Sequence, residues 1–239
     1  MHAYTALGLP AAAGMAYLII AQPLAASFRW VFVLMLAATF VDATDGAMAR
    51  AVRIREVLPG FDGRRLDDLV DWLTFTCLPL LFLWKADVLG NLGGWWLIVP
   101  LMASAYGFCQ VSIKTADGFF LGFPSYWNLV ALYLYNLQPI PNWLSLSLIL
   151  VLSVLTFVPL RYIYPSQPGL VNRLTLILGA VWSLVLLWIM TMMPDDHAER
   201  SETVQRLTAV SLVFPLYYFI TSWGLSWLIW RRAVANREQ

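Results

Sequence analysis

Four aspartates at helical spacing dominate the chemistry available to this sequence. The first pair lies in Asp42-Ala-Thr-Asp45-Gly46-Ala-Met-Ala49-Arg50; twelve residues later the second lies in Gly63-Arg-Arg-Leu-Asp67-Asp-Leu-Val-Asp71. On a helix, Asp42, Asp45, Gly46 and Ala49 follow an i, i+3, i+4, i+7 pattern and share one face, as do Gly63, Asp67 and Asp71. Two such helices packed side by side would bring four carboxylates together, while Gly46, Ala49 and Gly63 leave the surface flat enough for a ligand to lie against the backbone. A set of oxygen donors without His or Cys suits two hard divalent cations, Mg²⁺ or Mn²⁺, better than zinc. Paired ions of this kind clamp phosphates and stabilise the attacking and leaving oxygens of an in-line displacement. The expected substrate therefore carries a phosphate, and Arg50 at the lip of the site would add a fixed cation for its oxygens. Asp62 and Asp68 read differently: Asp62 caps the helix that follows it, and Asp68 points about 100° away from Asp67.

The elements that must position these acids are membrane helices. The chain has 239 residues, of which 60% are hydrophobic and 12% charged, and its mean hydropathy of +0.70 argues against a water-soluble core. Eight stretches are long enough, or nearly so, to cross a hydrocarbon layer that needs about 20 helical residues. They run from Thr5 to Ala21, Phe28 to Ala49, Arg64 to Lys85, Gly93 to Ile113, Tyr126 to Leu137, Trp143 to Tyr164, Leu170 to Met193 and Val204 to Trp230. The expected fold is all-α, a polytopic membrane bundle of about eight transmembrane helices forming one domain over residues 1–239. The first run lacks a basic start and a cleavage site and reads as a retained helix.

Basic residues set the orientation, because cytoplasmic loops carry the Lys and Arg excess. Counted along eight spans, one side holds Arg50, Arg53, Arg55, Arg64, Arg65, Lys114, Arg161, Arg173, Arg231, Arg232 and Arg237, and the other holds Arg29, Lys85, Arg200 and Arg206. Eleven against four puts both termini and the aspartates in the cytoplasm. A net charge of +1, with basic residues divided among separate loops, gives no sign of a nucleic-acid partner. Cys77 and Cys109 read as packing residues inside spans, and His2 and His197 as solvated.

Asp-x2-Asp-Gly-x2-Ala-Arg followed by Gly-x3-Asp-x3-Asp resembles the signature of the CDP-alcohol phosphatidyltransferase family, with eight fixed positions matching in order. The twelve-residue connection between Arg50 and Gly63 is longer than in most of that family and is similar to its phosphatidylcholine synthase branch, as is the stretch from Asp117 to Asn128. The resemblance implies transfer of the phosphatidyl group from CDP-diacylglycerol to choline. It also implies metal binding by Asp42, Asp45, Asp67 and Asp71, with Asp71 as general base. Asp42, Asp45, Gly46, Ala49, Arg50, Gly63 and Asp67 would line the CDP pocket. A homodimer in a bacterial inner membrane fits the same resemblance, with membrane lipid as the surrounding partner.

Choline is a quaternary ammonium, which proteins hold with aromatic faces and a nearby anion. Phe119, Phe120, Phe123, Tyr126 and Trp127 fall on the cytoplasmic side, and Phe123, Tyr126 and Trp127 are candidates for such a cage, with Glu56 as the anion; membrane-interface anchoring explains the same aromatics. Serine, inositol and glycerol 3-phosphate are alternative acceptors. A phosphorylated acceptor would want a second basic cluster, whereas Lys114, Arg161 and Arg173 are scattered. A cation-coupled transporter remains a different class, since intramembrane acids also bind ions or relay protons, but its acids would lie near mid-span. An aspartyl intramembrane protease would use two acids and no metal.

Overall fold

Uninterrupted apolar runs fold here into helices that differ in length and in how they end. The computed structural model describes residues 2–52, 58, 60–110, 115, 118–165, 167, 169–193 and 201–235, without the side chains of 24–26, 47, 50 and 232–234. A single turn, α1 (His2–Thr5), leads into α2 (Gly8–Ala21) and the long α3 (Leu24–Ala51). Helix α4 (Gly63–Asp71) passes without a break into a π-helical segment (Trp72–Cys77) and α5 (Leu78–Lys85). Two 3-10 turns precede α6 (Ile98–Phe108); then come strand β1 (Phe119–Leu121), α7 (Trp127–Asn136), α8 (Asn142–Leu155), strand β2 (Arg161–Ile163), α9 (Leu170–Met192), α10 (Glu202–Ser211) and α11 (Val213–Ala235).

The all-α polytopic membrane architecture is therefore present. Four helical stretches among the described residues are long and apolar enough to cross a membrane: His2–Ala21, Ser27–Gly46, Leu170–Met192 and Glu202–Arg231. Gly94–Phe108 and Asn142–Leu155 are apolar but shorter. Helix α9 shows why lipid is the solvent: Leu174, Ile177, Val181, Leu184 and Trp188 are all exposed, far more contiguous apolar surface than a protein in water tolerates.

Two expected spans are divided. The stretch from Trp143 to Tyr164 ends its helix at Leu155, and its last residues form β2, which adds a small antiparallel sheet to the helical bundle. Phe119 pairs with Ile163, Phe120 with Tyr162 and Leu121 with Arg161. The stretch from Val204 to Trp230 breaks at Leu212, between α10 and α11. Pro215 explains this break, because it has no N–H to offer the Ser211 carbonyl four residues back. Pro79 has a similar effect near the start of α5. The Phe75 carbonyl loses its usual partner, and the helix widens so that the Leu78 N–H bonds the Leu73 carbonyl. Wide turns of this kind recur at functional sites, and this one follows Asp71 directly.

Around Phe32, Phe82 and Tyr135 the helices α3, α5 and α7 meet, with ring centroids 4.9, 5.0 and 5.7 Å apart. Met15, Ile19, Leu186 and Ile189 are buried in the same cluster. Strand β2 sits on α11, whose Tyr218, Ser222 and Ser226 share one face at four-residue spacing. The Ile163 N–H donates to Ser222 Oγ at 3.1 Å, the Arg161 N–H donates to Ser226 Oγ at 3.1 Å, and the Tyr218 hydroxyl donates to the Ile163 carbonyl at 2.9 Å. These bonds satisfy the edge of β2 that β1 does not reach. Ser222→Ala would leave a buried backbone donor without its acceptor, an expected loss of about 1–3 kcal/mol, read as a lower melting temperature in detergent. An unchanged melting temperature would show that the edge is satisfied by other means.

Candidate functional site

Helix α3 carries Asp42, Asp45, Gly46, Ala49 and Arg50 in its last turns, and α4 carries Gly63, Asp67 and Asp71. Asp62 begins α4 as a cap: its Oδ1 accepts from the Arg65 N–H at 3.2 Å, and its Oδ2 lies 3.0 Å from Arg65 Nε. Asp68 faces another way and pairs with Arg64 at 3.8 Å. Arg64 and Arg65 thus engage acids outside the expected set.

Asp42, Asp67 and Asp71 converge from the two helices. Each offers a carboxylate oxygen, and these oxygens lie within 4.8 Å of one another. At such a separation two like charges repel by about 3 kcal/mol in an effective dielectric of about 20. Asp45 stands beside the trio, close enough to Asp71 for their charges to interact. It is only 5% exposed, and its Oδ2 is buried with no hydrogen-bond partner among the described residues. A buried carboxylate oxygen requires a compensating partner. Three converging half-buried carboxylates with a fourth buried alongside form an all-oxygen donor set that fits a hard divalent cation. Gly46, Ala49 and Gly63 are half-buried, and all three belong to the helices that bear the acids. Arg50 lies on α3, its side chain outside the described part, and Glu56 is likewise outside the described residues.

The aromatic candidates separate into two groups. Tyr126 packs against both apolar clusters, and its hydroxyl interacts with Asp42, Asp71, Tyr164 and Tyr218, so the structure brings it to the acids. Phe123 and Trp127, expected to face a ligand, instead point into the core, with exposures of 3% and 0%. Their rings meet edge to face at 5.3 Å, and the Trp127 indole N–H donates to Ser104 Oγ at 2.7 Å. The cause is the turn before α7: Gly122 at φ +81° and Ser125 at φ +56° bend the chain back on itself and direct these rings inward. Gly122 is required there, since a Cβ would also run into the Thr156 carbonyl.

Sequence reasoning missed Tyr164 and Tyr218, which approach Tyr126 from the residue after β2 and from α11. The Phe120 ring lies 4.6 Å from that of Tyr164, tilted by 57°. The polar Tyr218, Ser222, Ser226 stripe in an otherwise apolar helix was the available signal. His2 was also misread as solvated. Its ring lies 4.3 Å from that of Phe61 and against Gly63.

Repulsion within the trio has a measurable consequence. Asp71→Asn removes one of its charges and is expected to raise the melting temperature in chelator, equivalent to about 1 kcal/mol after shared protonation and screening. A lower melting temperature would mean that another charge already compensates Asp71.

No family model matches the chain. A phosphatidylcholine synthase of Legionella pneumophila is 44% identical over 147 residues, covering 58% of this chain and 55% of that protein. One of Legionella bozemanae is 42% identical over 138 residues, covering 56% and 62%. One of Pseudomonas aeruginosa is 32% identical over 197 residues, covering 82% and 81%. The matched part thus spans little more than half of the L. pneumophila relative and most of the Pseudomonas one. With identity of this level along most of both chains, the protein belongs to the phosphatidylcholine synthase family.

Proposed function

We propose that this protein transfers the phosphatidyl group of CDP-diacylglycerol to choline, releasing CMP and forming phosphatidylcholine. The observation that carries the reading is the convergence of Asp42, Asp67 and Asp71 from two helices, in a chain whose relatives bear the name phosphatidylcholine synthase. Asp42, Asp45, Asp67 and Asp71 would hold Mn²⁺ or Mg²⁺, as two ions. Bound there, the cations would supply charge stabilisation for the pyrophosphate and the departing CMP oxygen.

The remaining steps fall to the chain's own groups. Gly46, Ala49 and Gly63 give the nucleotide and pyrophosphate a flat backbone to lie on, and Arg50 binds phosphate oxygens. Asp71 accepts the choline hydroxyl proton as the oxygen attacks the phosphatidyl phosphorus. The new P–O bond forms as the bond to the CMP oxygen breaks, and CMP carries away the electron pair. Tyr126, with Tyr164 and Tyr218 beside it, offers aromatic faces to the quaternary ammonium close to the acids; Glu56 is the proposed anion. The close packing of Phe123 and Trp127 makes them supports for Tyr126.

The same reading places the protein in a bacterial inner membrane as a homodimer, with the acids and both termini in the cytoplasm. In support, His2 lies against Gly63 at the acid-bearing end of the bundle, next to Arg64 and Arg65.

The test is CMP release by the purified protein from CDP-diacylglycerol and Mn²⁺, with choline, serine, inositol or glycerol 3-phosphate as acceptor. Choline-dependent release is expected, falling by about 10²–10⁴-fold in Asp71→Asn. Release with another alcohol would overturn the acceptor, and no release with any would overturn the transferase reading. Tyr126→Leu is expected to raise the choline KM about tenfold with little change in the CDP-diacylglycerol KM. Equal choline KM values would remove Tyr126 from the acceptor site.

A further inference from the structure

The N-terminal segment lies across both halves of the acidic motif. Tyr4 Oη is 2.7 Å from Thr44 Oγ1, and Thr44 sits on α3 between Asp42 and Asp45. Thr44 has a single hydroxyl proton, and its bonds to the Phe40 and Val41 carbonyls at 2.8 and 3.1 Å use it. Tyr4 is therefore the donor, and a phenylalanine there would lose the bond outright.

Two residues away, the same turn engages α4. The His2 ring rests on Gly63 so closely that a Cβ on that glycine would lie 2.6 Å from His2 Nε2 and 2.8 Å from Cδ2. Its other contact is the Phe61 ring, at 4.3 Å and a 34° tilt. A little further on, Gly8 meets Val70, where a Cβ would collide with Cγ1. Val70 directly precedes Asp71. Residues 2–8 thus touch Thr44 on one acid-bearing helix, and Gly63 and Val70 on the other.

Neither helix alone sets the distance between Asp42 and the pair Asp67 and Asp71, and the repulsion among them favours a wider spacing. We propose that Tyr4 and His2 are positioning residues, and that the N-terminal segment is a bracket holding the two halves of the acidic site at the spacing a divalent cation needs. Tyr4 fixes the α3 half by its hydrogen bond, and His2 fixes the start of α4 by filling the space above Gly63. Neither touches the reacting atoms. This inference rests on the metal-dependent reading of the site, so its test must measure the cation directly.

The experiment titrates Mn²⁺ into the purified full-length protein in detergent and follows loss of the free-ion signal by electron paramagnetic resonance. The proteins are wild type, Tyr4→Phe, His2→Ala, His2→Phe and, as a control, Asp71→Asn. Melting temperatures are recorded in parallel in chelator. Tyr4→Phe and His2→Ala are each expected to weaken Mn²⁺ binding about tenfold, the usual scale for groups that orient metal ligands, with metal-free melting within about 2 °C of wild type. His2→Phe refills the space above Gly63 and is expected to restore most of the affinity. Wild-type affinity in both Tyr4→Phe and His2→Ala would overturn the bracket alone, as would a loss of affinity matched by a large fall in metal-free melting temperature. An absence of Mn²⁺ binding in wild type would overturn the metal reading and the bracket with it.

Discussion

Like charges brought together are the constraint on which the rest of this structure turns. Asp42, Asp67 and Asp71 hold carboxylate oxygens within 4.8 Å of one another, an arrangement two free helices would relax by moving apart. The fold opposes that movement on several sides. Below the acids, α3 and α5, which continues the π-helical segment after Asp71, enter the common core through Phe32 and Phe82. Above them, Tyr4, His2 and Gly8 touch both acid-bearing helices. From the flank, Tyr126 is near enough to Asp42 and Asp71 for electrostatic interaction, beside Phe123 and Trp127 in the core. The supports of the site thus belong to different parts of the chain, as a preorganised site requires.

The strand pair is part of the same support. Between apolar helices, an open strand edge leaves backbone donors and acceptors that hydrocarbon cannot satisfy. Here one edge of β2 is paired with β1, and the other is met by a helix. Tyr218, Ser222 and Ser226 recur every four residues along α11, about 6 Å per step, close to the two-residue rise of a strand. That match lets alternate groups of β2 find a partner on successive helical turns. It also brings Tyr162 next to Tyr218, and through Tyr218 to Tyr126. The aromatic side of the site thus depends on hydrogen bonds in an element that bears none of the acids.

Much of this was legible in the sequence, for physical reasons that also explain the misses. The acid-bearing faces were readable because helical periodicity is local: Asp42 and Asp45 must share a face if the segment is a helix. Asp62 as a cap and Asp68 as an outward residue followed from the same geometry. The inward turn of Phe123 and Trp127 was not readable, since it depends on the left-handed backbone at Gly122 and Ser125, and a composition of aromatics says nothing of direction. The end of α8 at Leu155 had a signal in Pro159, which has no N–H for the Leu155 carbonyl, whereas the strand conformation of Arg161 to Ile163 is selected only by the partner strand. His2 was lost for a simpler reason. Its contact with Gly63 is made only in three dimensions.

Direction separates the two kinds of acid in this motif. Asp62 and Asp68 are answered by Arg65 and Arg64 on the same helix, across three and four residues, and their exposed pairing contributes little to stability. Asp42, Asp67 and Asp71 are turned toward one another across helices, and Asp45 is buried beside them with an oxygen that finds no partner among the described residues. If the motif served only to end helices at a membrane surface, the acids would be spread, one to a helix end. Concentrating the others costs charge repulsion. The divalent cations proposed above are the kind of occupant that would turn this electrostatic disadvantage into binding energy.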